Sequence, residues 1–511
     1  MKITTKCLVL LLALLVTFPV LAACKKENEL PSTETTDAAT EAPSTVTEAE
    51  RTFDTLAPVD FGNKTFHILT GEKSTSTIWS SVDWDADSTD TETIPAAVFA
   101  RNSLVEEKYN CEIEQVQKNR NQELLSTAVL ACLNNDGEYD AIVMPFVHQI
   151  SSMGVNGYYT DFATMNGVSL SDPWWNQSTN DSISVLGRYY TLCGDINIVD
   201  DLATWCILFN KFIIEDYEEL DSPYALVESG EWTIERMYED AALVASDNAD
   251  VPYGNGRYGI AIEYDSVNSF LAAFDVVTVK VSESGSLVDN TRSRTVESAV
   301  SKAYEYLNRK NMQVFGDNVT DGSKGYQAVS WGKLYQIFTG DNALYLTGTF
   351  ANVVSAQIAN MTTEFGIVPF PKADVTQQGY VSTLQSGNAT GVSIPAGAAN
   401  AEEVAILLSA MSAASVDTLS NAFYDLTLNG RKAPDSESLP MIQMILKNRV
   451  VDLGVVTSGT VRSILTETVK NPTSYSYSNI RTSYASKLGE ELTNITNNVK
   501  NNFRKDSAGT P

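Results

Sequence analysis

The sequence predicts an α/β fold carried on a parallel sheet, and three observations predict it. Strand and helix patterns alternate from Lys64 to Pro145. The last strand of that stretch, Asp140-Ala141-Ile142-Val143-Met144-Pro145, is almost wholly apolar, the pattern of a strand buried on both faces. The chain is 511 residues long and 43% hydrophobic, enough for two or three packed cores and far too apolar for disorder.

Each element follows from its own pattern. Lys64-Thr65-Phe66-His67-Ile68-Leu69-Thr70 alternates polar with apolar and reads as a strand. Ile94-Pro95 opens a helix with proline in its first turn, and Val98, Val105 and Tyr109 lie near one face. Cys111-Glu112-Ile113-Glu114-Gln115-Val116 is a second strand. Leu125, Val129 and Cys132, at i, i+4 and i+7, mark a helix. The strand ending at Pro145 is the third. In parallel sheets ligands sit beyond the carboxyl ends of strands, which puts 144–148 near any cleft.

Further along, 204–211 is an apolar strand closed by Asn210-Lys211. Thr233 is an N-cap, with Arg236 where a capping box would place Glu. Strands are expected at 342–347, 365–369 and 391–395, and a helix at 401–414, apolar at Val404, Leu407, Leu408 and Met411. Gly254-Asn255-Gly256-Arg257-Tyr258-Gly259 lacks the Lys-Ser/Thr of a phosphate loop and reads as a turn. No internal repeat is present.

Charge excludes whole classes. Against 35 Lys and Arg stand 64 Asp and Glu, a formal net charge of −29, so the surface repels nucleic-acid backbones. Two histidines, His67 and His148, leave little material for a His-rich metal site or a Ser-His-Asp enzyme, and no metal or cofactor is expected. Cys111, Cys132, Cys193 and Cys206 permit two disulfides outside a reducing compartment, or four buried thiols; there is no C-x-x-C.

The N-terminus reads as an address. Lys2 and Lys6 precede an apolar run from Cys7 to Ala23, too short for a spanning helix and ending in small residues. Leu21-Ala22-Ala23-Cys24 resembles the lipobox of bacterial lipoproteins. That resemblance implies cleavage of a signal peptide at 1–23, lipid on Cys24, and an anchor in the cell membrane facing outward. Cleavage would remove two lysines and no acid, deepening the negative charge. Residues 24–57, rich in Ser, Thr, Glu and Ala, read as a flexible tether.

The order of the later elements resembles the extracellular solute-binding proteins of bacterial ABC importers, the large family that includes maltose-binding proteins. The resemblance runs from about 61 to 453. It is carried by Glu138-Tyr139-Asp140-Ala141-Ile142-Val143, Tyr158-Tyr159-Thr160-Asp161-Phe162, Asp172-Pro173-Trp174-Trp175, Gly187-Arg188-Tyr189-Tyr190-Thr191-Leu192-Cys193-Gly194-Asp195, Phe209-Asn210-Lys211, Gly230-Glu231-Trp232-Thr233, Phe338-Thr339-Gly340-Asp341-Asn342-Ala343-Leu344 and Phe365-Gly366-Ile367-Val368-Pro369-Phe370-Pro371-Lys372.

The resemblance implies a type II periplasmic-binding-protein-like fold: two α/β lobes joined by hinge crossings and closing on a ligand. Lobe one would hold 58–194 with about 392–455. Lobe two would hold 195–391 with C-terminal helices at about 456–503, and 504–511 would be a tail. It implies a non-enzymatic, monomeric receptor that passes a carbohydrate, of oligosaccharide size, to ABC permease subunits. Two other readings stay open: the same scaffold binding a non-sugar solute such as a peptide, and a surface glycoside hydrolase. Seven Trp and 22 Tyr suit sugar faces, and carboxylates suit sugar hydroxyls. The cleft argument and the family positions together nominate Trp84, Asp85, Phe146, His148, Trp174, Trp175, Asp195, Asp265, Asn268, Thr349 and Phe350 as ligand contacts. At Phe350 family members often carry a stacking aromatic, and here no Trp is present.

Overall fold

The structure is a computed structural model that describes residues 51–72, 84–119, 122–135, 137–246, 251–309, 311–429, 437–469 and 476–507. The expected signal at 1–23, Cys24, most of the tether and the last residues of the tail lie outside the described residues. Residues 51–57, read from composition as tether, are held on the first lobe. Arg51 Nη1 donates to Asp172 Oδ1 at 2.5 Å, its guanidinium lies 5.6 Å from the Trp174 ring centroid, and Lys108 Nζ donates to the Phe53 carbonyl at 2.6 Å.

Eleven strands among the described residues form two main sheets and a hairpin. They are β1 (Lys64–Gly71), β2 (Cys111–Lys118), β3 (Ala141–Pro145), β4 (Trp205–Asn210), β5 (Tyr258–Glu263), β6 (Val279–Val281), β7 (Leu287–Asp289), β8 (Gln313–Gly316), β9 (Ala343–Thr349), β10 (Phe365–Val368) and β11 (Thr390–Ser393). Lobe one is built on the sheet β11-β3-β1-β2. Its first three strands in the chain run parallel, and the late strand β11 pairs antiparallel with β3. Lobe two is built on β10-β4-β9-β5-β8, parallel across β9, β5 and β8 and antiparallel across β10, β4 and β9. The hairpin pairs β6 with β7.

Apolar strands fill both faces. Every residue of β3, β4, β5 and β9 is buried. In β3 and β4 that burial is why the sequence reads as an apolar run rather than as an alternation. On lobe one, the helices Thr93–Tyr109 and Ala401–Ser415 pack Val105, Leu407 and Leu408 over Phe66, Ile68 and Val143. Thr233 caps the helix Ile234–Val244 through Oγ1, which accepts from the Arg236 N–H at 3.2 Å.

Two strands escape a sequence reading. β5 follows directly on the turn at Gly254–Arg257 and carries a glycine, and β8 is four residues long. Gly259 sits where an added Cβ would meet Ala241 at 2.4 Å, so this strand trades propensity for close approach of the helix Ile234–Val244. Among the described residues, Cys111, Cys132, Cys193 and Cys206 are free thiols. Burial pushes Cys111 up to about 11 and Cys132 up to about 12, as expected of inert hydrophobes.

The C-terminal helix Tyr477–Ser507 spans both lobes. Leu488, Leu492, Ile495 and Val499 bury one stripe of it in the larger core, its Thr496 Oγ1 accepts from the Leu287 N–H at 3.0 Å on lobe two, and Asn498 Nδ2 donates to Asn156 Oδ1 at 3.1 Å on lobe one.

Candidate functional site

Three segments cross between the lobes. The first, 192–205, leaves lobe one beside β11, where Leu192 bridges Val392, and enters β4. The second, 384–390, returns from Leu384, which bridges Thr204, to β11. The third, 448–452, joins the helix Ser438–Lys447 to the helix Leu453–Thr457. Asn197, fully buried, ties the first to the second: its Nδ2 donates to the Thr390 carbonyl at 3.0 Å.

Gly194 begins the first crossing at a point of close approach. An added Cβ would lie 2.2 Å from the Trp174 carbonyl oxygen and 2.9 Å from the Trp175 Cα, both backbone atoms that cannot swing aside. Gly194→Ala is therefore expected to cost about 1–3 kcal/mol in a denaturant melt, the range for overpacking.

Arg449 locks the third crossing to the first. Its guanidinium, 3% exposed, meets Asp200 Oδ2 at 3.3 Å and Asp201 Oδ1 at 2.6 Å, and Nη1 also donates to Thr204 Oγ1 at 3.2 Å. Two carboxylates and hydrogen bonds answer one buried cation, the condition under which burying a charge is tolerable.

A cavity of about 250 Å³ opens on the hinge where lobe two meets the crossings. Trp205 at the start of β4 lines it, its backbone N–H donating to the Thr383 carbonyl at 2.9 Å. Asp265 lies in the turn after β5, and Asn268 on the following helix Val267–Ala273. Gln385 and Ser386 contribute from the second crossing, Arg462 and Thr466 from the helix Gly459–Val469. Asn268 Nδ2 donates to Thr466 Oγ1 at 3.3 Å, while its Oδ1 is buried with no partner among the described residues. An acceptor left so is costly unless a ligand donates to it.

Lobe one closes on the same region. The turn Phe146–His148 continues β3, with the Val147 N–H donating to the Ser386 carbonyl at 3.2 Å and Phe146 N–H to the Ala389 carbonyl at 3.0 Å. Burial, with the Arg462 charge adding to it, lowers His148 below the usual imidazole value and keeps it neutral at pH 7. Burial also lowers Arg462, against the pull of Glu491.

At the carboxyl ends of β5, β8 and β9 lies a second polar group. Tyr335 Oη donates to Glu263 Oε1 at 2.5 Å, Asn352 Nδ2 donates to Tyr335 Oη at 2.7 Å, and Tyr264 stacks on Tyr326 with ring centroids 3.7 Å apart. Burial pushes the Glu263 carboxyl up to about 7 from 4.5, with Asp265 adding to the rise and Tyr335 opposing it. A carboxyl raised in this way is protonated in the folded chain and ionised in the unfolded one between those values, so its contribution to stability falls as pH rises across that window. Glu263→Gln is expected to be nearly neutral at pH 5 and stabilising by about 1–2 kcal/mol at pH 8. Urea titrations at the two pH values check this, and an equal effect at both would contradict the burial argument.

The residues nominated from sequence separate into groups. Asp265 and Asn268 line the hinge cavity, with Phe146 and His148 on the lobe-one turn beside it. Trp174, Trp175 and Asp195 line a different cavity. Trp84 is fully buried, its carbonyl accepting from Arg101 Nη2 at 3.2 Å and Asn102 Nδ2 at 3.0 Å, and Asp85 beside it is exposed. Phe350 packs edge-on to Phe423 in the lobe-two core, with centroids 6.0 Å apart and no exposed surface. Thr349 caps the helix Phe350–Val353 through Asn352 Oδ1, which accepts from its N–H at 2.6 Å and its Oγ1 at 2.8 Å. Sequence reasoning missed Trp205, Gln385, Arg462 and the Glu263–Tyr335 pair. Trp205 carried a readable signal, an aromatic opening an otherwise aliphatic strand.

Neither a family model nor a curated protein sequence matches the chain. Among solved structures, it is similar to a cyclo/maltodextrin-binding protein complexed with maltotetraose, at 10% identity, with a TM-score of 0.52 over 86% of this chain and 97% of that one. It is likewise similar to an extracellular solute-binding protein from Staphylococcus aureus in complex with maltose, at 12% identity, with a TM-score of 0.52 over 86% of this chain and 98% of that one. The fold is the two-lobe, periplasmic-binding-protein-like fold of these proteins.

Proposed function

We propose that this chain is a lipid-anchored, non-enzymatic receptor on the outer face of a bacterial cell membrane that captures a carbohydrate between its lobes and delivers it to an ABC permease. The observation that carries the reading is the hinge cavity. An indole, a carboxylate, amides, hydroxyls and a guanidinium from lobe two, a crossing and the C-terminal helices converge there, with the β3 turn of lobe one beside it. Aromatic faces take the apolar C–H side of a sugar ring, and the polar groups take its hydroxyls. The bound ligands of the two structures above, maltotetraose and maltose, support the sugar class. Ligand bridging both lobes would stabilise the closed form, the form a permease would recognise. The lipobox Leu21-Ala22-Ala23-Cys24 supports the anchor.

The test is a thermal-shift series with maltose, maltotetraose and a broader glycan panel, followed by chromatography of the recovered sugar. A concentration-dependent rise in Tm with unchanged sugar is the expected result. No shift across the panel would sink the carbohydrate reading, and new products would make the chain an enzyme. Incorporation of labelled palmitate into the chain with Cys24 intact, but not after Cys24→Ser, checks the anchor.

A further inference from the structure

A loop stands over the end of the lobe-two sheet. It leaves β8 at Gly316, which lies in register with Glu263 of β5, and returns at Val329, which bridges Gly316. Its base is pinned. The Asp317 N–H donates to the Val329 carbonyl at 2.9 Å, and the Val329 N–H to the Phe315 carbonyl at 2.8 Å. With its ends joined in this way it is an Ω-type loop, and any displacement falls on its tip. β5 and β8 run parallel, so the loop rises from the same end of the sheet as Tyr264 and Asp265, and Asp265 lines the hinge cavity.

Tyr326 anchors the tip. Of residues 318–327, Val319, Gly322 and Tyr326 are half-buried and the rest are exposed. The Tyr326 ring lies flat on Tyr264, with centroids 3.7 Å apart and planes 18° from parallel, and edge-on to Phe315 at 6.4 Å. Its polar end is held by its own loop: Tyr326 Oη donates to Asp317 Oδ2, and so does Lys324 Nζ at 2.9 Å. Gly322 and Gly325, at φ +77° and +85°, turn the chain back for this. The tip therefore takes these polar pairs with it when it swings away, and what it gives up is its contact with Tyr264 and Phe315. That contact is a poor one of its kind. Aromatic pairs prefer an offset or edge-on arrangement, with centroids about 4.5–7 Å apart, over rings stacked squarely. At 3.7 Å there is little room for offset, and two electron-rich faces meet. The C–H face of a sugar ring has the opposite polarity and suits the Tyr264 face better.

We propose that the loop 317–328 is an internal competitor for the carbohydrate: Tyr326 holds the place of a sugar ring on Tyr264, and an incoming sugar displaces it. This rests on the carbohydrate reading above. The apparent affinity is then reduced to the fraction of molecules in which the Tyr264 face is free, and weakening the Tyr326 contact raises it.

Calorimetric titration with maltose, maltotetraose and the glycan panel named above tests it on the parent chain, Tyr326→Ser and Tyr264→Leu. Tyr326→Ser is expected to bind roughly 3- to 10-fold more tightly, the worth of one aromatic pair, and Tyr264→Leu about tenfold more weakly. Urea melts check that both fold. If Tyr264→Leu does not, Tyr326→Ser and a protease readout carry the test. Trypsin cleavage after Lys324, followed by mass spectrometry, reports on the loop itself. The tightest-binding of these sugars should speed that cleavage in the parent, and Tyr326→Ser should be cut fast with or without it. Affinity unchanged or weakened in Tyr326→Ser, affinity unchanged in a folded Tyr264→Leu, or cleavage that sugar does not speed, overturns the competitor and leaves the carbohydrate reading standing. Slowed cleavage would mean that the loop closes over the sugar instead. Binding of no sugar by either the parent or Tyr326→Ser overturns both.

Discussion

Replacing Arg449 by methionine is expected to destabilise the fold by about 3–5 kcal/mol, because it leaves two buried carboxylates without their cation. Asp200 is fully buried and Asp201, its side chain 15% exposed, is half-buried beside it, and both meet the Arg449 guanidinium. A urea melt at pH 7 checks the magnitude. Burial already raises Asp201 above the usual carboxylate range. In the variant, with the main opposing charge gone, lowering the pH should protonate it and restore part of the loss. The double variant Arg449→Met/Asp201→Asn should recover part of the loss, since it neutralises one of the two orphaned carboxylates and leaves only Asp200 uncompensated. A single-variant cost near that of a surface substitution would mean that water reaches this cluster and the hinge is not dry.

The second large effect is on binding. Asp265→Asn is expected to weaken maltose affinity by roughly 10- to 100-fold, about 1.4–2.7 kcal/mol, the worth of a charge-assisted hydrogen bond to a ligand hydroxyl. Stability should change little, because Asp265 is exposed on the turn after β5. Calorimetric titration and a melt on the same preparation separate the two quantities. A variant that binds maltose as the parent does would remove Asp265 from the contact set. One that fails to fold would assign it a structural role instead.

Much of the scaffold was legible because its signals are local. The all-apolar run at 141–145 announced a strand buried on both faces, Thr233 announced a cap, and the alternation from Lys64 onward announced parallel order. β5 and β8 were not legible, since six and four residues beside glycine turns look like loop until neighbouring strands bury them. The site was legible only in part. Asp265 and Asn268 follow a strand's carboxyl end, and that placement leads to the cleft cavity. Trp174, Trp175 and Asp195 also precede or enter a crossing, yet position along the chain does not say which side of a hinge a side chain takes. Phe350 follows β9 as a stacking aromatic would, but Phe423, from a helix far along the chain, claims it for the core. Arg462 comes from the C-terminal stretch, where no motif could be read.

The helix Tyr477–Ser507 turns the protein into its own gauge. Thirty-one residues make a rod about 46 Å long, its apolar stripe in the larger core, bonded to lobe two at Thr496 and to lobe one at Asn498. Lobe opening would strain the Asn498 contact and loosen the turns beyond it, while the turns around Leu488 stay seated. Amides in its last turns should therefore exchange with solvent on the timescale of opening, and those around Leu488 only on global unfolding. The ratio of the two rates, read in deuterium without any probe attached, would count how often the lobes open and, on the proposed reading, how far an added sugar suppresses that opening.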